Sequence, residues 1–255
     1  YPAVNMHAKP IGEVRLDPDK MIPYDCEPEL KRANGKYIMM LGDRQIVGIT
    51  MRWDPSSGKL KSDISSVALV LHDDFGVKYW HRSVALTGDV VKHDAQGNIT
   101  GGQVWQLCDL IDQFNVPSVT IETNGIGNFA PAALKGALKA RHIRCGVKEE
   151  HSVGNKNKRI LEALEGPLMS GLLWVHTSVI DTPEEGENSS RQYKNMRMFN
   201  PAITEQPDDD LDSLAGAVTD SPERIGKIHR QNESREGVNW RTDGGVAEAT
   251  LDFND

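Results

Sequence analysis

The sequence predicts an α/β fold, a mixed β-sheet flanked by α-helices, in one domain spanning residues 36–222. Two observations carry this reading. Paired β-rich runs come first, and an alternation of helix-like and strand-like segments follows, the order that builds a mixed sheet with helices on its faces. A third observation bounds it. At 255 residues and 38% hydrophobic content, the chain can bury one sizeable core.

Each element has its own signal. The runs KYIMML (36–41) and QIVGITM (45–51) are separated by GDR and read as a hairpin. ISSVALVLH (64–72) and VKYWHRSVAL (77–86) form a second pair across a short acidic turn. HDAQGNITGG (93–102) reads as a polar loop. Apolar residues at helical spacing then mark 104–114, and VPSVTIET (116–123) reads as a buried strand. A helix over 128–141 and a strand over 142–148 follow. A second helix–strand pair covers 156–171 and 172–177, with Gly171 placed where helices end. Residues 178–200 are polar and carry no clear period, and a last helix runs from Pro207 to about Asp220.

The flanks read differently. Residues 1–35 are rich in proline and charge, without helical or alternating period, and are expected to form a linker or irregular arm. Residues 223–255, charged and glycine-rich, are expected to form a mobile tail.

Composition removes several classes. The formal charge of −8 argues against a globally basic nucleic-acid binder, though not against a local basic patch. The cysteines, Cys26, Cys108 and Cys145, show neither CxxC spacing nor a disulfide framework, which suits a reducing compartment. No apolar run approaches the ~20 residues of a membrane span, and no membrane association is expected. GxSxG, HExxH and GxxxxGK[ST] do not occur. SSGKLKS fails the phosphate-loop spacing, so no ATP site is expected.

The chemistry concentrates in carboxylates. PDDDLDSLAGAV (207–218) places four aspartates within five residues at the head of the last helix. Asp209 and Asp212 lie one turn apart on one face, as do Asp208 and Asp212. First-turn acids favour the helix dipole, but mutual repulsion grows as each is added. A bound cation would relieve it. Glu122 closes an apolar strand, the position outside which α/β sheets bind ligands. Asp54 precedes Pro55 in a turn after the first strand pair, and Asp63 stands where the next strand starts. Taken singly, each acid has a plainer reading as a cap, a solvated strand end or a turn. Together, an Asp, a Glu and a DxxD helix could converge at one sheet edge and bind hard divalent cations, Mg²⁺ or Mn²⁺, in a two-metal site for phosphodiester hydrolysis.

This order of strand-Asp, strand-Glu and helix-DxxD resembles the RNase H-like nuclease superfamily. DDLDSLA is similar to the closing element of RuvC-type resolvases and phage terminase large subunits. WDPSSGKLKSDISSVALV, IETNGIG and GNKNKRILEALEGPLMSGLLWV resemble the opening, the strand-Glu segment and the Lys/Arg-bearing helix of the terminase nuclease. Pro207 stands where that family often has histidine, and GITMRWDP places Asp54 later than the family's GIDP. The resemblance, over about 36–222, implies an RNase H-like domain. It further implies an endonuclease that cuts concatemeric double-stranded viral DNA in the host cytoplasm. Asp54, Glu122, Asp209 and Asp212 would be catalytic metal ligands, with Asp63 and Asp208 second. The terminase ATPase domain, the small terminase subunit and the portal or procapsid are the implied partners.

A local basic island, Lys135, Lys139, Arg144, Lys148, Lys156, Lys158 and Arg159, is the expected double-stranded DNA contact, to phosphates rather than bases. The alternatives are a RuvC-like junction resolvase or transposase core, and a non-catalytic DNA-docking module.

Overall fold

The computed structural model describes residues 15–33, 35–56, 64–124, 128–181, 189–203 and 205–220. In chain order, a 3-10 turn (Pro18–Lys20) leads into β1 (Ile22–Tyr24), β2 (Pro28–Ala33), β3 (Lys36–Leu41), β4 (Arg44–Asp54), β5 (Ser65–Asp73) and β6 (Lys78–Leu86). The small strands β7 (Lys92–His93) and β8 (Ile99–Gly101) precede α1 (Gln103–Phe114), β9 (Ser118–Glu122), α2 (Ala130–Ala140) and β10 (Gly146–Glu150). α3 (Lys156–Met169), β11 (Leu173–His176), α4 (Thr177–Ile180), α5 (Arg191–Met198) and α6 (Asp209–Thr219) complete it.

The meander β4–β5–β6 is antiparallel and forms the middle of the main sheet. Beyond β6 lie β11 and then β1, both parallel. On its other side β4 forks. Its first residues pair antiparallel with β3, which pairs with β2. Its last residues, Met51 to Trp53, pair in parallel with Val119 to Ile121 of β9, which carries β10 in parallel beside it. The fork brings the carboxyl ends of β4, β9 and β10 to one edge.

Why these strands sit centrally is legible in burial. Every residue of β5 is buried, as a strand covered on both faces requires. Side chains alternate between faces at period two. Val67 and Leu69 join Met51 and Trp53 in a core with α1 and α2. Ala68 and Val70 join Trp80 in a second core with α3, α5 and α6. The result is three layers, helix–sheet–helix.

Local chemistry fixes the helix ends. α1 begins after Gly102, whose φ is 96°, and a Cβ there would stand 2.7 Å from the Asp89 carbonyl oxygen. Asn155 caps α3 by accepting from the Lys158 N–H at 3.1 Å. Gly171, at φ 67°, follows the end of that helix.

The structure departs from the sequence expectations in five places. Asp54, expected in a turn, is the last residue of β4, which runs on past Met51. The stretch read as an irregular arm contributes β1 and β2 to the main sheet. Residues 178–200, left without a class, contain α5 and overlap α4. The loop at 93–102 holds the β7–β8 ribbon. The strand expected at 142–148 runs from Gly146 to Glu150. Residues 221–255, and with them the expected tail, lie outside the described residues, as does Asp63. No described helix is long and apolar enough to cross a membrane.

Candidate metal and nuclease site

Asp54 is the last residue of β4 and Glu122 the last of β9. The register pairs Trp53 with Ile121, so these two acids follow side by side on neighbouring parallel strands. Both leave the sheet on the α6 side, opposite to Trp53 and Ile121. There α6 lays Asp212 against them. Ligand oxygens of Asp54, Glu122 and Asp212 all lie within 4.8 Å of one another.

α6 reaches this place because its apolar residues, Leu211, Leu214, Ala215 and Val218, are buried in the core with α3 and the sheet. Thr50 of β4 adds a hydrogen bond to the Ala217 carbonyl at 2.8 Å. The acids at its head have separate fates. Asp212 joins the trio. Asp210 is buried and bonded to Arg191, with Nε at 2.7 Å and Nη2 at 3.0 Å. Asp208 and Asp209 meet Lys156 Nζ at 2.8 and 3.2 Å, and Asp209 also accepts from the Ile64 N–H at 3.0 Å. Among the described residues, therefore, Asp54, Glu122 and Asp212 are brought together. Asp208 and Asp209 stand beside them on Lys156.

The charge balance is tight. Burial, then the neighbouring charge of Glu122, pushes the Asp54 carboxyl up to about 7. Burial also raises Asp212, against the pull of Lys156. Lys156 is held well above the usual lysine range: its hydrogen bond to Asp208 and the charges around it outweigh burial. Arg159 Nη2 lies 3.2 Å from both oxygens of Asp212 and 3.9 Å from Glu122 Oε1. Carboxylates that crowd and desolvate each other are a common feature of functional sites. The donor set is all oxygen, which fits a hard divalent cation.

The sequence-predicted basic island divides. Lys156 and Arg159 face the acids. Lys158 is exposed and pairs with Glu162 at 3.6 Å. Lys135 pairs with Glu149 at 2.8 Å, and Lys139 and Lys148 are exposed on α2 and β10. Arg144 precedes β10, at the opposite end of that strand from Glu150.

Sequence reasoning missed two residues that shape the site. Asn124 donates to Glu122 Oε1 at 2.7 Å and to the Ser152 carbonyl at 3.2 Å. Arg52 lies 3.7 Å from Glu122 Oε2. A period-two reading could have found Arg52, which stands two residues before Asp54 and so on the same face of β4. A cleft of about 360 Å³ adjoins the trio, lined in part by Arg52, Ser152, Arg159, Asp212 and Gly216.

Residues 57–173 match the family described as Terminase Bacteriophage T7, Ribonuclease H-like domain. No curated protein matches the chain. Among solved structures, the nuclease domain of the large terminase subunit of bacterial virus Sf6 is similar at 10% identity and a TM-score of 0.38, covering 69% of this chain and 90% of that one. A lysine-to-alanine variant of that domain, with manganese and beta-thujaplicinol, is similar at 9% identity and a TM-score of 0.40, with the same coverage.

Proposed function

We propose that the chain, whose residues 57–173 match a terminase ribonuclease H-like domain family, is a divalent-metal-dependent endodeoxyribonuclease. Its substrate in this reading is concatemeric double-stranded viral DNA, cut in the host cytoplasm as genomes are packaged. The observation that carries the reading is the convergence of Asp54, Glu122 and Asp212 from two strand ends and a helix.

These three carboxylates would hold Mg²⁺ or Mn²⁺ in a two-ion site, with Asp209 and Asp208 as further ligands. When bound, such ions supply a nucleophile from water at neutral pH and offset charge at the phosphate. The chain's own residues do the rest. Asn124 fixes one oxygen of Glu122. Lys156 and Arg159 keep positive charge beside Asp212, where a phosphate would approach. The exposed Lys139, Arg144, Lys148 and Lys158, with Lys135, extend phosphate contact along the duplex. Water attacks phosphorus in line, its oxygen forming the new P–O bond as the bond to the leaving sugar oxygen breaks, with no covalent enzyme intermediate. The terminase ATPase domain, the small subunit and the portal or procapsid are the proposed partners.

The test is cleavage of supercoiled plasmid in Mn²⁺, in Mg²⁺ and in EDTA. Nicking and linearisation in metal alone, lost in Asp212→Asn with salt-sensitive duplex binding retained, are the expected results. Duplex binding indifferent to EDTA with no cleavage would make the chain a docking module. Strong preference for four-way junctions would make it a resolvase.

A further inference from the structure

Arg52 is an arginine in a place that demands an explanation. It is 4% exposed, and a buried charge is costly unless its partners are arranged around it. Nη1 donates to Glu150 Oε2 at 2.5 Å and lies 3.8 Å from Asp220 Oδ2. Nη2 reaches Ser152 Oγ at 3.4 Å and stands 3.7 Å from Glu122 Oε2. Glu150 and Glu122 are register partners on β10 and β9, and Asp220 closes α6. One guanidinium thus spans the ends of two strands and the C-terminal end of a helix, and one of those strands ends in Glu122 of the carboxylate trio.

The helix opposite leaves room for it. Gly216 lies one turn beyond Asp212 on the same face of α6. A Cβ at Gly216 would stand 2.6 Å from Arg52 Nε and 2.9 Å from Cδ. The face of α6 that presents Asp212 therefore also provides the slot through which Arg52 passes.

Glu122 needs such a brace. Its neighbours Asp54 and Asp212 repel it when charged, and the counter-charges beside it are Arg52 at Oε2 and Arg159 at Oε1. Arg52 faces Oε2 while Asn124 bonds Oε1. We infer that Arg52 is a positioning residue that orients Glu122 for metal binding, and that Gly216 is required as the gap that admits it. The inference deepens the nuclease reading and rests on it.

The experiment measures Mn²⁺ affinity by calorimetry, with thermal melting and the Mn²⁺ concentration for half-maximal plasmid nicking. It compares the full chain with Arg52→Met, Arg52→Lys, Gly216→Ala and Gly166→Ala. Gly166 is a helical glycine whose added Cβ would meet nothing within 4 Å, so it controls for the chemistry of the change. Outer partners that orient metal ligands are typically worth about 10–100-fold in affinity. Arg52→Met and Gly216→Ala are expected to weaken Mn²⁺ binding by about that factor, with nicking recovered at saturating Mn²⁺. Arg52→Lys keeps the charge but not the fork, and is expected between wild type and Arg52→Met. Gly166→Ala is expected to match wild type in Mn²⁺ affinity and nicking, and to melt no lower.

Gly216→Ala retains every charged group and adds a better helix former. A purely structural role for Arg52 would leave its Mn²⁺ affinity at the wild-type value, whichever way its melting temperature moves, and that result overturns the inference. Should Arg52→Met not fold, Gly216→Ala and Arg52→Lys decide the matter. A wild-type chain that neither binds Mn²⁺ nor cuts DNA overturns the nuclease reading and this inference with it. A wild type that does both, alongside a Gly216→Ala variant identical to it, overturns the role of Arg52 alone.

Discussion

Asp210 sits among acids with other duties, and its surroundings separate it from them. It is 1% exposed, takes two bonds from Arg191, and lies 3.2 Å from Ser66 Oγ and 3.3 Å from Ser83 Oγ. It ties the head of α6 to the sheet and to α5. Breaking a buried pair costs about 3–5 kcal/mol, and the part-exposed Arg191 places this one at the low end. Asp210→Asn should therefore lower the melting temperature by roughly 6–12 °C for a chain of this size, read by calorimetry. Asp212→Asn should behave in the opposite way. Burial and Glu122 already hold the Asp212 carboxyl above its usual range, so losing its charge should cost little stability. What it should remove is metal binding. The two substitutions are chemically identical and lie two residues apart, so a shared effect on stability would contradict this division.

At the scale of elements, the edge formed by β1, β11 and β6 is held by a polar cluster. Tyr24 Oη and His81 Nδ1 lie 2.9 Å apart, and His81 Nε2 is 3.0 Å from Glu27 Oε2. His176 of β11 is 3.5 Å from the other oxygen of Glu27, which also pairs with Arg82. Burial, then the charge of Arg82, pushes His81 down to about 4. His176 moves in the same direction. Between about pH 6.5 and 4 the unfolded chain binds protons that the folded chain refuses, so stability should fall on acidification through that window. Glu27, which burial raises but its bond to Arg82 lowers further, adds a loss below the usual carboxylate range. The urea midpoint should drop from pH 7 to pH 5, and His81→Gln should flatten that drop.

The two outermost strands of the order β1–β11–β6–β5–β4–β3–β2 show what the sequence could and could not say. Strands β3 to β6 and helices α1, α2, α3 and α6 announce themselves by period, because each buries a continuous face. β1 and β2 do not. They are edge strands, short, and marked by Pro23 and Pro28, residues that edges tolerate and that otherwise read as breakers. In the site, Glu122 is legible as a strand end and the aspartates of α6 as a helix head, whereas Asp54 reads along the chain as a turn residue and only the fold shows it ending β4. The partition among Asp208, Asp209, Asp210 and Asp212 is not legible. It depends on Lys156, Arg191 and the Ile64 N–H, which only the fold brings near.

Across the whole molecule, repulsion among three gathered carboxylates is a cost that metal would remove. Ligand that binds only the folded chain stabilises it by about 2.7 kcal/mol at a hundred times its dissociation constant. Saturating Mn²⁺ should raise the melting temperature by roughly 5–10 °C at that concentration. EDTA should reverse the rise, and Asp212→Asn should abolish it. A rise that persists in that variant would place the ion elsewhere.

The docking of α6 sets a schedule. Asp54 and Glu122 are neighbours as soon as β4 and β9 pair, but Asp212 arrives on the last described helix. During synthesis, a chain emerging in order from its amino end holds two of the three acids long before the third leaves the ribosome. Contacts so distant in sequence are also slow to form. On the nuclease reading the trio is complete only once α6 docks on the finished sheet, so a chain interrupted before α6 would hold two of the three carboxylates and should neither bind Mn²⁺ nor cut.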